Sequence, residues 1–252
     1  MSAVAVLDAE RIKLTTTRSV VWTAAAVALL SIGLAALQAS TAYGAAPLPP
    51  EKAATGVSVF GVPVLMVLAA MTVTGEYRSG MIRTTFMATP NRTLVLVAKA
   101  IIPSAFSAVY AAVMTIAAVM VACLMAPPLV GPNVSFVDPD TWRLAGAITL
   151  YAALTAVLGV GVAALLRHSA GAVAVLLLWP LLVEPVLGNL PSIGSEAGPY
   201  LPFANVFRFI DVQWLYPVYA MPWGVLGSLL YFMAVVAVVY AAAVVVVNRR
   251  DA

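Results

Sequence analysis

The chain has 252 residues, 63% hydrophobic and only 9% charged, with a mean hydropathy of +1.03. Soluble domains carry roughly a quarter of charged residues, so a globular core in water is excluded and lipid is the expected solvent. The formal charge of +3 does not mark a nucleic-acid binder, because the thirteen Lys and Arg residues are scattered between apolar runs rather than gathered in a stripe.

Residues 1–18 come first. Val4, Leu7 and Leu14 fall on one helical face while Asp8, Glu10 and Lys13 lie elsewhere, with Arg11 at the apolar edge. The segment reads either as a short amphipathic helix on the inner membrane surface or as a charged flank that fixes orientation.

Six uncharged or nearly uncharged runs follow, at residues 19–40, 53–75, 100–126, 142–166, 169–190 and 223–247. Each is about the twenty residues that a helix needs to cross a bilayer core. None alternates apolar and polar residues as barrel strands do, and backbone in lipid must satisfy its own hydrogen bonds, so the predicted fold is an all-α membrane protein with six spans. Pro63, Pro103, Pro180 and Pro185 fall inside spans and predict kinks. Ala152 with Ala156, and Gly224 with Ser228, offer small residues for close helix contact. Cys123 lies inside an apolar run and reads as a small buried hydrophobe, since a single cysteine supports neither an internal disulfide nor a cysteine metal cluster. A secretory signal ending near Ala42, Tyr43 and Gly44 is the weaker reading of the first run. That run exceeds a usual signal core, Asp8 and Glu10 precede it, and its removal would leave an odd number of spans.

With six spans both termini share one side. That side holds Arg11, Lys13, Arg18, Arg78, Arg83, Arg92, Lys99, Arg167, Arg249 and Arg250, leaving Lys52, Arg143 and Arg208 on the other. Cytoplasmic segments retain Lys and Arg, so both termini are expected in the cytoplasm of a cell membrane. Trp22, Trp142, Tyr151, Tyr200, Trp214, Tyr216, Tyr219 and Trp223 stand near span ends, as interfacial aromatic belts do.

The polar islands between spans are where function is sought. Residues 76–99 are the most patterned. Met81, Ile82, Thr85 and Phe86 recur at helical spacing with Arg83 on the flank, and Thr89 before Pro90 predicts the N-cap of the next helix. A short cytoplasmic helix with an apolar face and basic neighbours suits a surface that another protein pushes on; a solvated connector is the alternative. His168, the only histidine, lies in the turn 167–171, has no companions for a metal site or triad, and reads as a solvated loop residue. In the external stretch 191–222, Phe203, Val206, Phe207 and Ile210 have helical spacing, and Arg208 and Asp211 stand three apart as a possible pair. Glu184, a carboxylate inside the fifth span, is a candidate for the transport pathway or gate, or else a partner for Arg208 or Arg143. No GxxxxGK[ST] loop, GxSxG elbow or HExxH motif is present, so catalysis is not expected of this chain.

The order of Glu10, Arg11, Lys13, Leu14 and Arg18, a first span, Thr74-Gly75-Glu76-Tyr77-Arg78-Ser79-Gly80 and then Thr89-Pro90-Asn91-Arg92 resembles the ABC-2 type permeases, especially actinobacterial ones. The specific part covers roughly the first hundred residues. The resemblance implies a six-span membrane subunit of an exporter, with residues 1–18 as a connecting helix and short re-entrant helices in the last external loop. It further implies that Glu76, Arg78, Gly80, Arg83, Thr84 and Thr85 form or flank the coupling helix that docks on a separate ABC ATPase. ATP and magnesium would then belong to that ATPase, with no cofactor bound here, and two permeases, identical or different, would pair around a path for a hydrophobic or amphiphilic drug-like or lipid-like substrate. The rival readings are an ATP-independent secondary transporter or channel using Glu184, and a membrane anchor that transports nothing.

Overall fold

The computed structural model describes residues 2–42, 48–126, 136–212, 214 and 216–249. Tyr43 and Gly44 of the considered cleavage site, and Arg250 of the basic side, lie outside the described residues. Among the described residues the chain is helical without strands, and six helices are long and apolar enough to cross a membrane. That is the make-up of a multi-pass membrane protein.

In chain order the helices are α1 (Ala3–Thr16), α2 (Arg18–Ser40), α3 (Pro50–Ala53), α4 (Val62–Ser79), α5 (Met81–Ala88), α6 (Arg92–Met125), α7 (Pro139–Leu166), α8 (Ser169–Leu178), α9 (Glu184–Asn189), α10 (Ile193–Ala197), α11 (Pro202–Ile210) and α12 (Val225–Arg249). The spans are α2, α4 with the π turn Gly56–Gly61 before it, α6, α7, α8 to α9, and α12. Helices α4 and α7 are the most enclosed and form the centre of the bundle; Leu65 and Met66 of α4 and Leu144, Ile148 and Tyr151 of α7 all belong to its buried core. Small residues let these backbones approach closely. A Cβ on Gly159 of α7 would lie 2.4 Å from the Met66 carbonyl oxygen, and one on Gly56 would lie 2.6 Å from that of Leu30. These glycines set the contacts, while the expected Gly224 faces open space. Ala152 and Ala156 are fully buried.

Three local readings are corrected. The sixth helix starts after Asn91, not Thr89: the Asn91 side chain accepts a hydrogen bond from the Leu94 amide at 3.0 Å, while Thr89 ends α5 in extended backbone. The fifth span is irregular at Pro180, as its sequence predicts: a π turn over Trp179–Val183 lies between α8 and α9. Tyr151 is no interfacial aromatic; it is buried between Phe207 and Phe232, with ring centroids at 6.1 and 6.3 Å. Cys123 is half-buried rather than enclosed.

The polar residues gather at the two ends of the bundle. At one end meet α1, the last turns of α4, α5, the start of α6, the turn between α7 and α8, and the end of α12. Arg92 donates to the Val247 carbonyl at 3.1 Å, Asn248 to the Thr93 hydroxyl at 2.9 Å, and the Arg167 guanidinium sits 5.1 Å from the Tyr77 ring centroid. His168 caps α8, its Nδ1 accepting from the Gly171 amide at 3.1 Å, and remains exposed. At the other end lie α3, the start of α7, α10 and α11.

Candidate functional site

Four charged side chains from three elements meet at the α1 end of the bundle. Lys99 of α6 is 1% exposed and uses all three of its ammonium protons: to Glu10 Oε2 at 2.9 Å, Glu76 Oε1 at 2.7 Å and the Thr72 carbonyl at 3.3 Å. Lys13 completes the square, donating to Glu10 Oε1 and Glu76 Oε1, both at 2.7 Å. Glu76 Oε2 accepts from the Thr85 hydroxyl of α5 at 3.3 Å. Two positive and two negative charges cancel, and each buried carboxylate is hydrogen-bonded, which is the condition under which such a group is tolerated at all. Burial opposes the Lys13 charge, but the bonds to Glu10 and Glu76 and their attraction outweigh it and raise its pKa above the ordinary lysine value.

The sequence places these groups through simple periodicities. Val6, Glu10 and Leu14 are the buried residues of α1, four apart on one face, so Glu10 is delivered inward by its apolar neighbours. This replaces the expected stripe of Val4, Leu7 and Leu14; Val4 is 68% exposed. Gly80, at φ +72°, takes the left-handed conformation that lets the chain leave α4 and start α5 within one residue. Helix α5 buries Ile82, half-buries Thr85 and Phe86, and leaves Met81, Arg83, Thr84 and Met87 exposed. Arg92 lies 5.3 Å from the Phe86 ring centroid and braces the inner face. Of the residues expected to meet a partner, Arg78, Gly80, Arg83 and Thr84 are therefore on the surface, Thr85 is turned inward, and Glu76 is buried in the charge square. A cleft of about 270 Å³ separates α5 from α1, with Val6 and Ala9 on one wall and Thr84 and Ala88 on the other.

Glu184 sits at the far end and does something different. It is fully buried, and its Oε2 accepts from the backbone amides of Phe203 at 2.9 Å and Ala204 at 3.1 Å, while Oε1 accepts from Trp179 Nε1 at 2.8 Å. Helix α11 has Leu201 at its N-cap, which offers no side-chain acceptor, so Glu184 caps it from another element. Neither Arg208 nor Arg143 is its partner. Arg208 donates to the Trp223 carbonyl at 2.9 Å, and Arg143 pairs with Asp211 at 3.3 Å and with Asp140 at 3.8 Å. The pairing of Arg208 with Asp211 suggested by their spacing is thus replaced by a bond across elements. Burial, with the Glu184 carboxylate nearby, also raises the pKa of the Tyr216 and Tyr219 phenols.

No model of a known protein family matches the chain, and no curated protein matches it. Among the described residues no group of His, Cys, Asp or Glu could hold a metal ion.

Sequence spacing alone does not single out Glu10, Lys13 and Lys99 as site residues. A signal exists for one of them: Glu10 stands midway between Val6 and Leu14 on a helical face that is otherwise apolar. For the lysines there is none, because a cation near a span end reads as a snorkelling flank until its partner is known.

Proposed function

We propose that this chain is the permease subunit of an ATP-driven exporter, that both termini lie in the cytoplasm, and that α5 is the surface on which a separate ABC ATPase docks. The observation that carries this reading is the base of α5. The helix stands at the end of the bundle where the basic residues collect, offers Met81, Arg83, Thr84 and Met87 outward, and is tied through Thr85 and Glu76 to α1, α4 and α6 at once. A motor that rocks a helix can move a bundle only if the helix cannot pivot freely, and the charge square supplies that stiffness. The basic and methionine side chains suit an acidic, apolar groove on the ATPase. ATP and magnesium would be handled wholly by that partner, and a second permease, identical or homologous, would complete the path for a hydrophobic or amphiphilic drug-like or lipid-like substrate. The rival carrier reading relies on Glu184 as its coupling carboxylate, and both oxygens of that group are engaged in holding Trp179 and α11.

The test is purification of the full chain from its native host membranes, with associated subunits identified by mass spectrometry. A protein bearing a phosphate loop should accompany the wild-type chain and fall at least tenfold with Arg83→Glu, which reverses the charge of an exposed side chain. Absence of any such ATPase from the wild-type preparation, or its equal recovery with the variant, overturns the docking surface.

A further inference from the structure

A cavity of about 380 Å³ opens between α1, the start of α2 and the last turns of α4. Its wall is apolar, formed by Leu14, Val20, Leu68, Met71 and Pro103, and a rim of polar groups includes Arg78 and Thr17. Glu10 and Glu76 also reach this lining, but both are buried and neutralised by Lys13 and Lys99. The uncompensated charge at the rim is therefore the Arg78 guanidinium, which is exposed and makes no ion pair among the described residues. Beside it, α2 begins at Thr17 without a side-chain cap, so the positive end of a 23-residue helix faces the same rim. The lining comes from α1, the first turn of the α2 span, the second half of the α4 span and Pro103 of α6, so polar groups near the ends of the spans stand above apolar residues farther along them. On the outward side of α1, Val4 and Ile12 are 68% and 55% exposed, an apolar pair suited to lying against a membrane surface.

We propose that this cavity is a binding site for one anionic phospholipid of the leaflet on the α1 side. The phosphate sits at Arg78 and the uncapped start of α2, and an acyl chain lies along Leu68, Met71 and Pro103. A soluble phosphate would leave the apolar wall wet, and a zwitterionic lipid would bring a second cation to Arg78; an anionic lipid satisfies both halves. The bound lipid would fill the gap between α1 and the spans and so support the helix that carries Glu10 and Lys13. The inference uses the orientation proposed above, since anionic lipid is enriched in the cytoplasmic leaflet, but not the pairing with an ATPase.

The full chain, purified in detergent and delipidated, is titrated in native mass spectrometry with phosphatidylglycerol, with phosphatidylcholine of the same acyl chains, and with sn-glycerol 3-phosphate as headgroup alone. One phosphatidylglycerol should be retained with roughly a fivefold preference over phosphatidylcholine, and glycerol phosphate should not be retained. Arg78→Gln should abolish the preference; Met71→Trp, at a half-exposed wall position, should lower retention of both lipids by filling the slot. Thermal unfolding of each variant checks that the chain is folded. Equal retention of both lipids by the wild type, unchanged retention by both variants, or binding of glycerol phosphate as tight as that of the lipid overturns the proposal. Absence of an ATPase from the wild-type preparation, or its equal recovery with Arg83→Glu, while the lipid preference is intact would overturn the docking surface alone, so the two readings fail separately.

Discussion

Lys99 Nζ stands 2.7 Å from Glu76 Oε1, and the two residues are 23 positions apart, the last and first of the segment that leaves the bundle after α4 and rejoins it in α6. Their ion pair closes the base of that excursion. Helix α5 is consequently not a loose loop but a projection whose root is clamped, and the clamp is shared with α1 through Glu10 and Lys13. Movement of α5 must carry α1, α4 and α6 with it or break buried charge contacts.

Removing one member of the square should cost far more than removing a matched pair. Lys99→Met leaves Glu10 and Glu76 facing each other with only the half-exposed Lys13 between them, and a buried ion pair broken on one side costs about 3–5 kcal/mol. The double variant Lys99→Met with Glu76→Gln removes opposite charges together and should recover a substantial part of that loss. Thermal unfolding of the purified chain in detergent reads both. A double variant as unstable as the single one would show that the ion pair itself, rather than the orphaned charge, dominates.

The raised pKa of Lys13 gives the α1 contact a pH dependence of known sign. Because the folded-state value lies above the ordinary one, the stabilisation is complete below the ordinary lysine pKa and disappears as pH rises through the raised value. Spin labels at Val4→Cys and Met87→Cys, in a Cys123→Ala background, should report one α1 to α5 distance from about pH 6 to about pH 9. The distribution should broaden only in strongly alkaline buffer. Broadening on the acid side, near neutrality, would contradict the assignment to Lys13.

The six spans were legible because the bilayer imposes a length and a near-absence of charge that few other structures share, and runs such as 223–247 meet both. The helix at Met81–Ala88 was legible from its apolar spacing, and the helix at Pro202–Ile210 from Phe203, Val206, Phe207 and Ile210, all of them buried. Partners were not legible. Which acid meets which base depends on how helices distant in sequence are arranged, so Glu10 with Lys99, 89 positions apart, and Arg143 with Asp211, 68 apart, carry no local signature. The break in the fifth span was half visible: Pro180 and Pro185 announced irregularity, but nothing in their spacing announced that the irregularity would aim Glu184 at the start of α11.

That aim makes Glu184 testable by chemistry rather than by charge alone. Glu184→Gln keeps a carbonyl oxygen able to accept from Phe203, Ala204 or Trp179, whereas Glu184→Ala leaves buried donors unsatisfied at about 1–3 kcal/mol. Hydrogen exchange at Phe203 and Ala204 should stay slow in the glutamine variant and accelerate in the alanine one. If Glu184→Gln exchanges as fast as Glu184→Ala, the negative charge is needed at the helix terminus, and the capping account by hydrogen bonding alone fails.

A close approach of α7 to α4 supplies the last prediction. Gly159 of α7 faces the backbone of α4, where a methyl group would lie 2.4 Å from the Met66 carbonyl oxygen and 3.2 Å from its Cγ. The carbonyl cannot rotate away as a side chain would, so Gly159→Ala must push apart the two most enclosed helices, at a cost of about 1–3 kcal/mol. Gly146, on the same helix, has open space where its methyl would stand, with nothing within 4 Å, and Gly146→Ala should instead gain about 0.5–1 kcal/mol from helix propensity. Thermal unfolding of the two variants side by side decides the matter. Equal effects would mean that α4 and α7 do not approach as closely as Gly159 allows, and opposite signs would locate a close approach of the two helices at that glycine.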